Sequence, residues 1–382
     1  ACWILAYKSV TRKAAASVLG LILAVMAVIS TGIYFEFGQF RYGRYINPHD
    51  AFHYYMGAKY SREIGYSHLY ASALVADMDG RRLYAPTTSI RSQKDYGYIP
   101  VRTVLAEADR YRAMFSPERW NEFKKDIEFF QSIMPREKWN AVLKDKGYNA
   151  TPVWNMVARF LSNHFPTDSW ASMWFLLGLD LLLLALMFIL VYAAFGWNAA
   201  MLAIVFWGIN FFMSFVHIKG AFLRLDWVTM LVMAICLLKL ERYKTAGVLA
   251  AYAALARVFP VIFVFGVGAK LVWEFLATRK IPRRYIEFFV AFTLTILVLT
   301  GVSVVSDGDL HLWKEFGEKI GLHNNDLSTT RVGFKYIFLD TRKLDAPWNA
   351  FVLAKQKEFA DRKVTWWAIQ AAVLAVCFLA TR

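Results

Sequence analysis

Long uninterrupted apolar runs constrain this 382-residue chain more than any other feature. They come as blocks rather than one-sided stripes, and about 20 apolar residues are needed for a helix to cross the hydrocarbon core of a bilayer. Eight blocks are candidate spans: 14–35, 170–195, 198–216, 227–240, 245–258, 260–277, 286–305 and 364–380, the fourth and fifth being short. With 58% hydrophobic residues, 31 Phe and 14 Trp, the expected fold class is an all-α polytopic membrane protein with about eight transmembrane helices. No small-residue cleavage site ends the first block, so it is expected to persist as an anchor. The chain starts at Ala1 without a methionine and stops one residue after Thr381, so further sequence is expected at either end and eight spans are a minimum.

Basic residues fix the expected orientation. Lys8, Arg12 and Lys13 precede the first block, Lys239, Arg242 and Lys244 follow the fourth, and Arg279, Lys280, Arg283 and Arg284 separate the sixth from the seventh. With eight spans all three clusters lie on one side, which the positive-inside rule makes cytoplasmic. Residues 36–169, 217–226 and 306–363 then face outward. The net charge of +15 is spread over such loops and forms no soluble basic domain, so the expected partners are membrane lipids and phosphate groups, not nucleic acid. Cys2, Cys236 and Cys377 are too dispersed for a disulfide frame or a metal site. The organisation expected is an anchor (1–35), an outer helical domain (36–169), a membrane bundle (170–305), an outer loop (306–363) and a last span (364–382).

The outer segment 36–169 is too long for a connection and too charged for a span. In "SPERWNEFKKDIEFFQSIM", Ser116 and Pro117 predict a helix start, and Trp120, Phe123, Ile127, Phe130 and Met134 an apolar stripe lying on the bilayer or the spans. "TPVWNMVARFLSNHFP" has a similar start and predicts an interfacial helix leading into the second span. In "NPHDAFHYYMGAKYSREIGYSHLY", Pro48 and Asp50 predict another start, with Phe52, Tyr55, Met56 and Tyr60 turned to the membrane. An acidic residue there can be simply a cap.

"DAFHYYMGAKYSREIGYSHLY" resembles the first outer loop of the GT-C glycosyltransferases, most closely the polyprenyl-phosphate-mannose-dependent mannosyltransferases, in which an aspartate precedes an aromatic-rich helix ending in Gly-x-x-x-Leu-Tyr. Asp50, Phe52, Tyr54, Ala58, Gly65, Leu69 and Tyr70 occupy matching positions. "TPVWNMVARFLSNHFP", "ARVFP" and "HNNDLSTTRVG" are weaker echoes in the same order, with Arg257 where lysine is commoner. Residues 77–146 look like an insertion, and "KGAFLRLD" lacks the family's Gly-Gln-x-Asn. The resemblance implies a GT-C-like fold and transfer of a hexose from a polyprenyl-phosphate donor to a lipid, glycan or protein acceptor, with Asp50 as base; Tyr54, at a matching position, is a further substrate-binding candidate, and the flanking His49 and His53 are expected either to touch the acceptor or to tune Asp50.

Such chemistry needs a phosphate clamp, for which Lys219, Arg224 and Arg257 are the cationic candidates. Arg257 lies in an apolar run and can alternatively snorkel to the interface, and Lys219 and Arg224 can be interfacial anchors. Asp180, within "LLGLDLLLL", is either a site residue or a partner of a neighbouring span. Asn325 and Arg331 sit in a stretch between Gly321 and Gly333 expected to be a lid over the donor. Asp77 and Asp79 form a D-x-D that reads first as a turn closed by Gly80. His49 and His53 share a helix face at i, i+4, but no histidine spacing is strong enough to claim zinc, and no cofactor or divalent metal is assigned. The alternatives are a transporter and a non-catalytic subunit of a membrane complex.

Overall fold

The computed structural model describes residues 2–85, 88–211, 213–214, 218–325 and 348–381. In chain order its elements are α1 (Cys2–Tyr34), a 3-10 turn (Glu36–Gly38), α2 (Pro48–Lys59), α3 (Ser61–Ile64), α4 (Leu69–Asp79), β1 (Ser89–Arg91), β2 (Tyr98–Pro100), α5 (Val101–Ala106), α6 (Ala108–Arg112), α7 (Pro117–Ile133), α8 (Arg136–Val142) and α9 (Pro152–His164). There follow α10 (Trp170–Phe195), α11 (Trp197–Gly208), α12 (Asp226–Lys239), α13 (Tyr243–Ala256), a 3-10 turn (Phe259–Phe263), α14 (Val264–Thr278), α15 (Arg283–Asp307), α16 (His311–Asn325) and α17 (Trp348–Ala380). The two strands form one antiparallel ribbon, Ile90 opposite Ile99.

Among the described residues, five helical stretches are long and apolar enough to cross a membrane: Ser17–Tyr34, Trp170–Phe195, Phe259–Thr278, Arg283–Asp307 and Leu353–Ala380. The other three expected spans are shorter helices. α11 has 12 residues and α12 and α13 have 14 each; at 1.5 Å per residue, 14 residues reach about 21 Å, short of the ~30 Å hydrocarbon core. Small side chains let them pack closely among the long helices. Gly208 on α11 lies against the Ser30 backbone of α1, and Gly247 on α13 against the Phe288 backbone of α15, where a Cβ would collide.

The helix starts follow the sequence. Ser116 accepts from the Arg119 N–H at 3.2 Å and Thr151 from the Trp154 N–H at 3.2 Å, each just before a proline. What their faces cover differs from expectation. Trp120, Phe123, Ile127 and Phe130 are buried in a core shared with α2 and α4, not laid on lipid. Phe52, Tyr55, Met56 and Tyr60 are likewise fully buried, so α2 is a central helix of the 36–169 segment rather than one turned to the membrane. Rings enclose it: Phe52 meets Phe130 and Trp139 edge-on, and Tyr60 meets Phe123. The 77–146 stretch is therefore built into the same core. Its Asp126 binds the buried Lys59 ammonium at 2.7 Å and the Tyr60 hydroxyl at 2.6 Å. Asp77 accepts from the Leu83 and Tyr84 N–H groups at 3.0 and 2.9 Å and Asp79 pairs with Arg112, so the D-x-D serves a turn and an ion pair.

Residues 311–325 are helical where a loop was expected. Leu312 and Phe316, one turn apart, bury themselves against the main core, and Gly321 lies inside α16 instead of bending the chain. α16 is described as far as Asn325; Arg331 and Gly333 lie outside the described residues.

Candidate functional site at the start of α2

The first turn of α2 is capped by Asn47, whose Oδ1 accepts the Asp50 N–H at 3.3 Å, with Pro48 next. The Asn47 N–H is taken by the Gly220 carbonyl at 2.6 Å. Asp50 therefore has no capping duty, although it lies at the positive end of the helix. Its carboxylate instead accepts from Arg224 Nε at 2.6 Å, both side chains retaining a little exposure, 16% and 14%.

Arg224 is aimed by its backbone. Leu223 adopts a left-handed conformation (φ 47°), uncommon for a bulky residue and costing roughly 1–2 kcal/mol. Its carbonyl is held by Trp154 Nε1 at 2.9 Å. The next two N–H groups, of Arg224 and Leu225, point at the two carboxylate oxygens of Asp180, at 2.9 and 3.1 Å. Asp180 thus caps the start of α12 from within α10, the pairing between neighbouring helices rather than a place at Asp50. The Arg224 guanidinium lies 3.7 Å from the centroid of the Tyr54 ring. Burial alone would push Arg224 down, but the Asp50 and Tyr54 oxygens hold it above its ordinary value. Burial also raises the Tyr54 hydroxyl to about 12, and that hydroxyl donates to Asn149 Oδ1 at 2.8 Å.

Arg257 reaches the same ring from another direction. It ends α13 in an extended conformation just before the 3-10 turn that contains Pro260, and its guanidinium is 5.3 Å from the Tyr54 centroid. Its backbone N–H donates to the Ala253 carbonyl at 3.1 Å, but its guanidinium has no hydrogen-bond or ion-pair partner among the described residues. Lys219 is placed differently. Its ammonium is buried, donates to the Tyr34 carbonyl at 2.6 Å and pairs with Glu36 at 3.3 Å, which ties the 218–225 turn to the end of α1.

His49 and His53 lie on one side of α2 with ring centroids 4.8 Å apart and planes tilted by 49°. His53 Nδ1 donates to the His49 carbonyl at 2.7 Å, and its Nε2 faces the Tyr70 hydroxyl at 2.5 Å and Asp145 Oδ2 at 3.8 Å. Burial, then the nearby His53 ring, lowers His49 to about 4, so it is neutral at pH 7.

No protein-family model, curated protein or solved structure matches this chain. The structure brings Asp50, Tyr54, Arg224 and Arg257 together, with His49 and His53 alongside. It places Lys219 at the α1 junction, and the Asn325 side chain and Arg331 are outside what is described. Asn149, Asp145 and Trp154 complete the surroundings without having been singled out. Their one signal is position: all three flank the Thr151 and Pro152 cap that turns the chain toward the second span.

Proposed function

We propose that this chain is an inverting membrane glycosyltransferase that moves a hexose from a polyprenyl-phosphate donor to a lipid, glycan or protein acceptor on the outer face of a bacterial plasma membrane, with Asp50 as general base. The observation that supports this reading is the group formed by Asp50, Arg224, Tyr54 and Arg257: one carboxylate, one arginine bound to it, and a second arginine on the same ring without a polar partner among the described residues. Displacing a phosphate from an anomeric carbon calls for a base on the incoming hydroxyl and cations on the departing phosphate. Without donor, Arg224 occupies Asp50. A donor phosphate offers Arg224 a competing anion that matches its planar fork, and Arg257 adds a second charge. Asp50 is then released to take the acceptor proton while the hydroxyl oxygen attacks the anomeric carbon from the face opposite the phosphate. The carbon–oxygen bond to phosphate breaks and its electron pair leaves on the polyprenyl phosphate. Mannose is the sugar that the sequence resemblance favours.

The test is release of polyprenyl phosphate and sugar transfer by the purified chain in proteoliposomes supplied with polyprenyl-phosphate mannose. Asp50→Asn should lower turnover by about 10²–10⁴-fold while circular dichroism and donor binding are retained. Full turnover in the Asn variant would remove Asp50 from the chemistry. Asp50-independent movement of solute across the vesicle would point to a transporter.

A further inference from the structure

We propose that His49, His53 and Asp145 form a binding site for a divalent transition metal of the zinc class, adjoining the Asp50 carboxylate and clasping α2 to the segment between α8 and α9. The proposal rests on donor geometry alone and stands whether or not the chain transfers sugars.

Three observations carry it. Two imidazoles four residues apart on a helix stand on one face, the arrangement by which helices commonly offer paired nitrogen ligands. The donor atoms of His49, His53 and Asp145 all lie within 4.8 Å of one another, and Asp145 Oδ2 is 3.8 Å from His53 Nε2. Around an ion with bonds of about 2.0–2.1 Å, tetrahedral ligand atoms stand roughly 3.3–3.5 Å apart, so small side-chain rotations bring the three into range. The third observation is the outer support. A ligating histidine characteristically donates its other ring N–H to a carbonyl or carboxylate, which fixes the tautomer. His53 does this: Nδ1 donates to the His49 carbonyl at 2.7 Å, leaving on Nε2 a lone pair that accepts the Tyr70 hydroxyl at 2.5 Å, with Asp145 Oδ2 at 3.8 Å.

The donor set selects the ion. Two imidazole nitrogens and one carboxylate suit zinc and its neighbours, whereas calcium and magnesium prefer all-oxygen surroundings. Three protein ligands leave a fourth position for water or a substrate oxygen. The Tyr70 hydroxyl, 2.5 Å from Nε2, is the group that an ion must replace there. Tyr70 therefore competes with the metal, so its removal should tighten binding. A cross-link at this point would tie the first turns of α2, which carry Asp50 and Tyr54, to the stretch that carries Asn149, the Tyr54 partner.

The full chain, purified in detergent with any affinity tag removed and treated with chelator, would be titrated with cobalt(II). One equivalent should bind with the intense visible bands of a four-coordinate ion, and zinc should displace it and raise the melting temperature. Asp145→Asn and His53→Ala should each weaken binding at least about tenfold and abolish the zinc-induced stabilisation; the Asp145 side chain is 49% exposed, so that variant should fold normally. Tyr70→Phe should bind more tightly than the wild type. Absence of stoichiometric cobalt uptake, or equal affinity and spectra in the wild type, Asp145→Asn and His53→Ala, would overturn the site.

Discussion

Arg224 and Arg257 share the Tyr54 ring but differ in what holds them. Arg224 is fixed at three levels, by its strained neighbour Leu223, by Asp180 on its own N–H and by Asp50 on its side chain. The Arg257 guanidinium has the ring alone among the described residues. An unpaired guanidinium in so apolar a setting is costly unless a ligand or the interface takes up its charge. If that ligand is the donor phosphate, Arg257→Ala deletes a charge-assisted interaction of about 1.5–3 kcal/mol and should weaken donor use roughly ten- to a hundredfold. Lysine should restore part of this, since a point charge remains but the fork is lost. Donor-concentration curves for the three proteins decide; indistinguishable curves would make Arg257 a snorkelling residue. Lys219 illustrates the opposite outcome. Its type and loop position matched a phosphate clamp, yet Glu36 and the Tyr34 carbonyl claim it.

At the scale of elements, the site is a meeting of helix ends: the start of α2, the turn entering α12 and the end of α13. Asp180 governs the second of these by satisfying two N–H groups that would otherwise be orphaned in an apolar setting. Asp180→Asn keeps the shape but replaces one acceptor oxygen with a donor, so one N–H loses its partner at a cost of about 1–3 kcal/mol. The variant should melt at a lower temperature and bind donor more weakly while still turning over, in contrast to Asp50→Asn. Equal loss of turnover in both, with donor binding intact in the Asp180 variant, would instead make Asp180 a participant in the chemistry. The capping residues of α7 and α9 were readable because Ser-Pro and Thr-Pro carry their own local chemistry. The burial of α2 was not readable, since an aromatic stripe has the same spacing whether lipid or other rings cover it.

Across the whole molecule, eight spans were expected, the fourth and fifth short; among the described residues five helices are long and apolar enough to cross a membrane, and α11, α12 and α13 are shorter. α9 joins the 36–169 segment to the helices that follow it: Arg159 pairs with Asp307 at the end of α15 at 2.6 Å, and Thr151 bonds the Leu255 carbonyl near the end of α13. Arg257 follows Leu255 by two residues, so the segment and the site are anchored at one place. If that segment is extracytoplasmic, Asp109, whose side chain is 99% exposed, is a suitable reporter. Asp109→Cys, with Cys2, Cys236 and Cys377 replaced by serine, should react with a membrane-impermeant maleimide in intact cells. Labelling that appears only after lysis would reverse the orientation and put the proposed site in the cytoplasm.

The sequence by itself determined the class of the molecule, because transfer free energy accumulates along a contiguous run and needs no partner to be counted. It also marked the helix starts, which depend on residues within one turn of each other, and it marked Asp50. Only the tertiary structure decided which cation Asp50 meets, since Arg224 is 174 residues away and its direction depends on the Leu223 turn together with a tryptophan from α9 and a carboxylate from α10. The same holds for the number of long spans. α11, α12 and α13 carry enough apolar residues to suggest crossings, but where each helix stops and how closely it packs depend on neighbours such as the Phe288 backbone against Gly247. Asp145 carried no mark beyond its position ahead of the Thr151 and Pro152 cap: it comes within 4.8 Å of the His49 and His53 donor atoms only where the chain folds back onto α2.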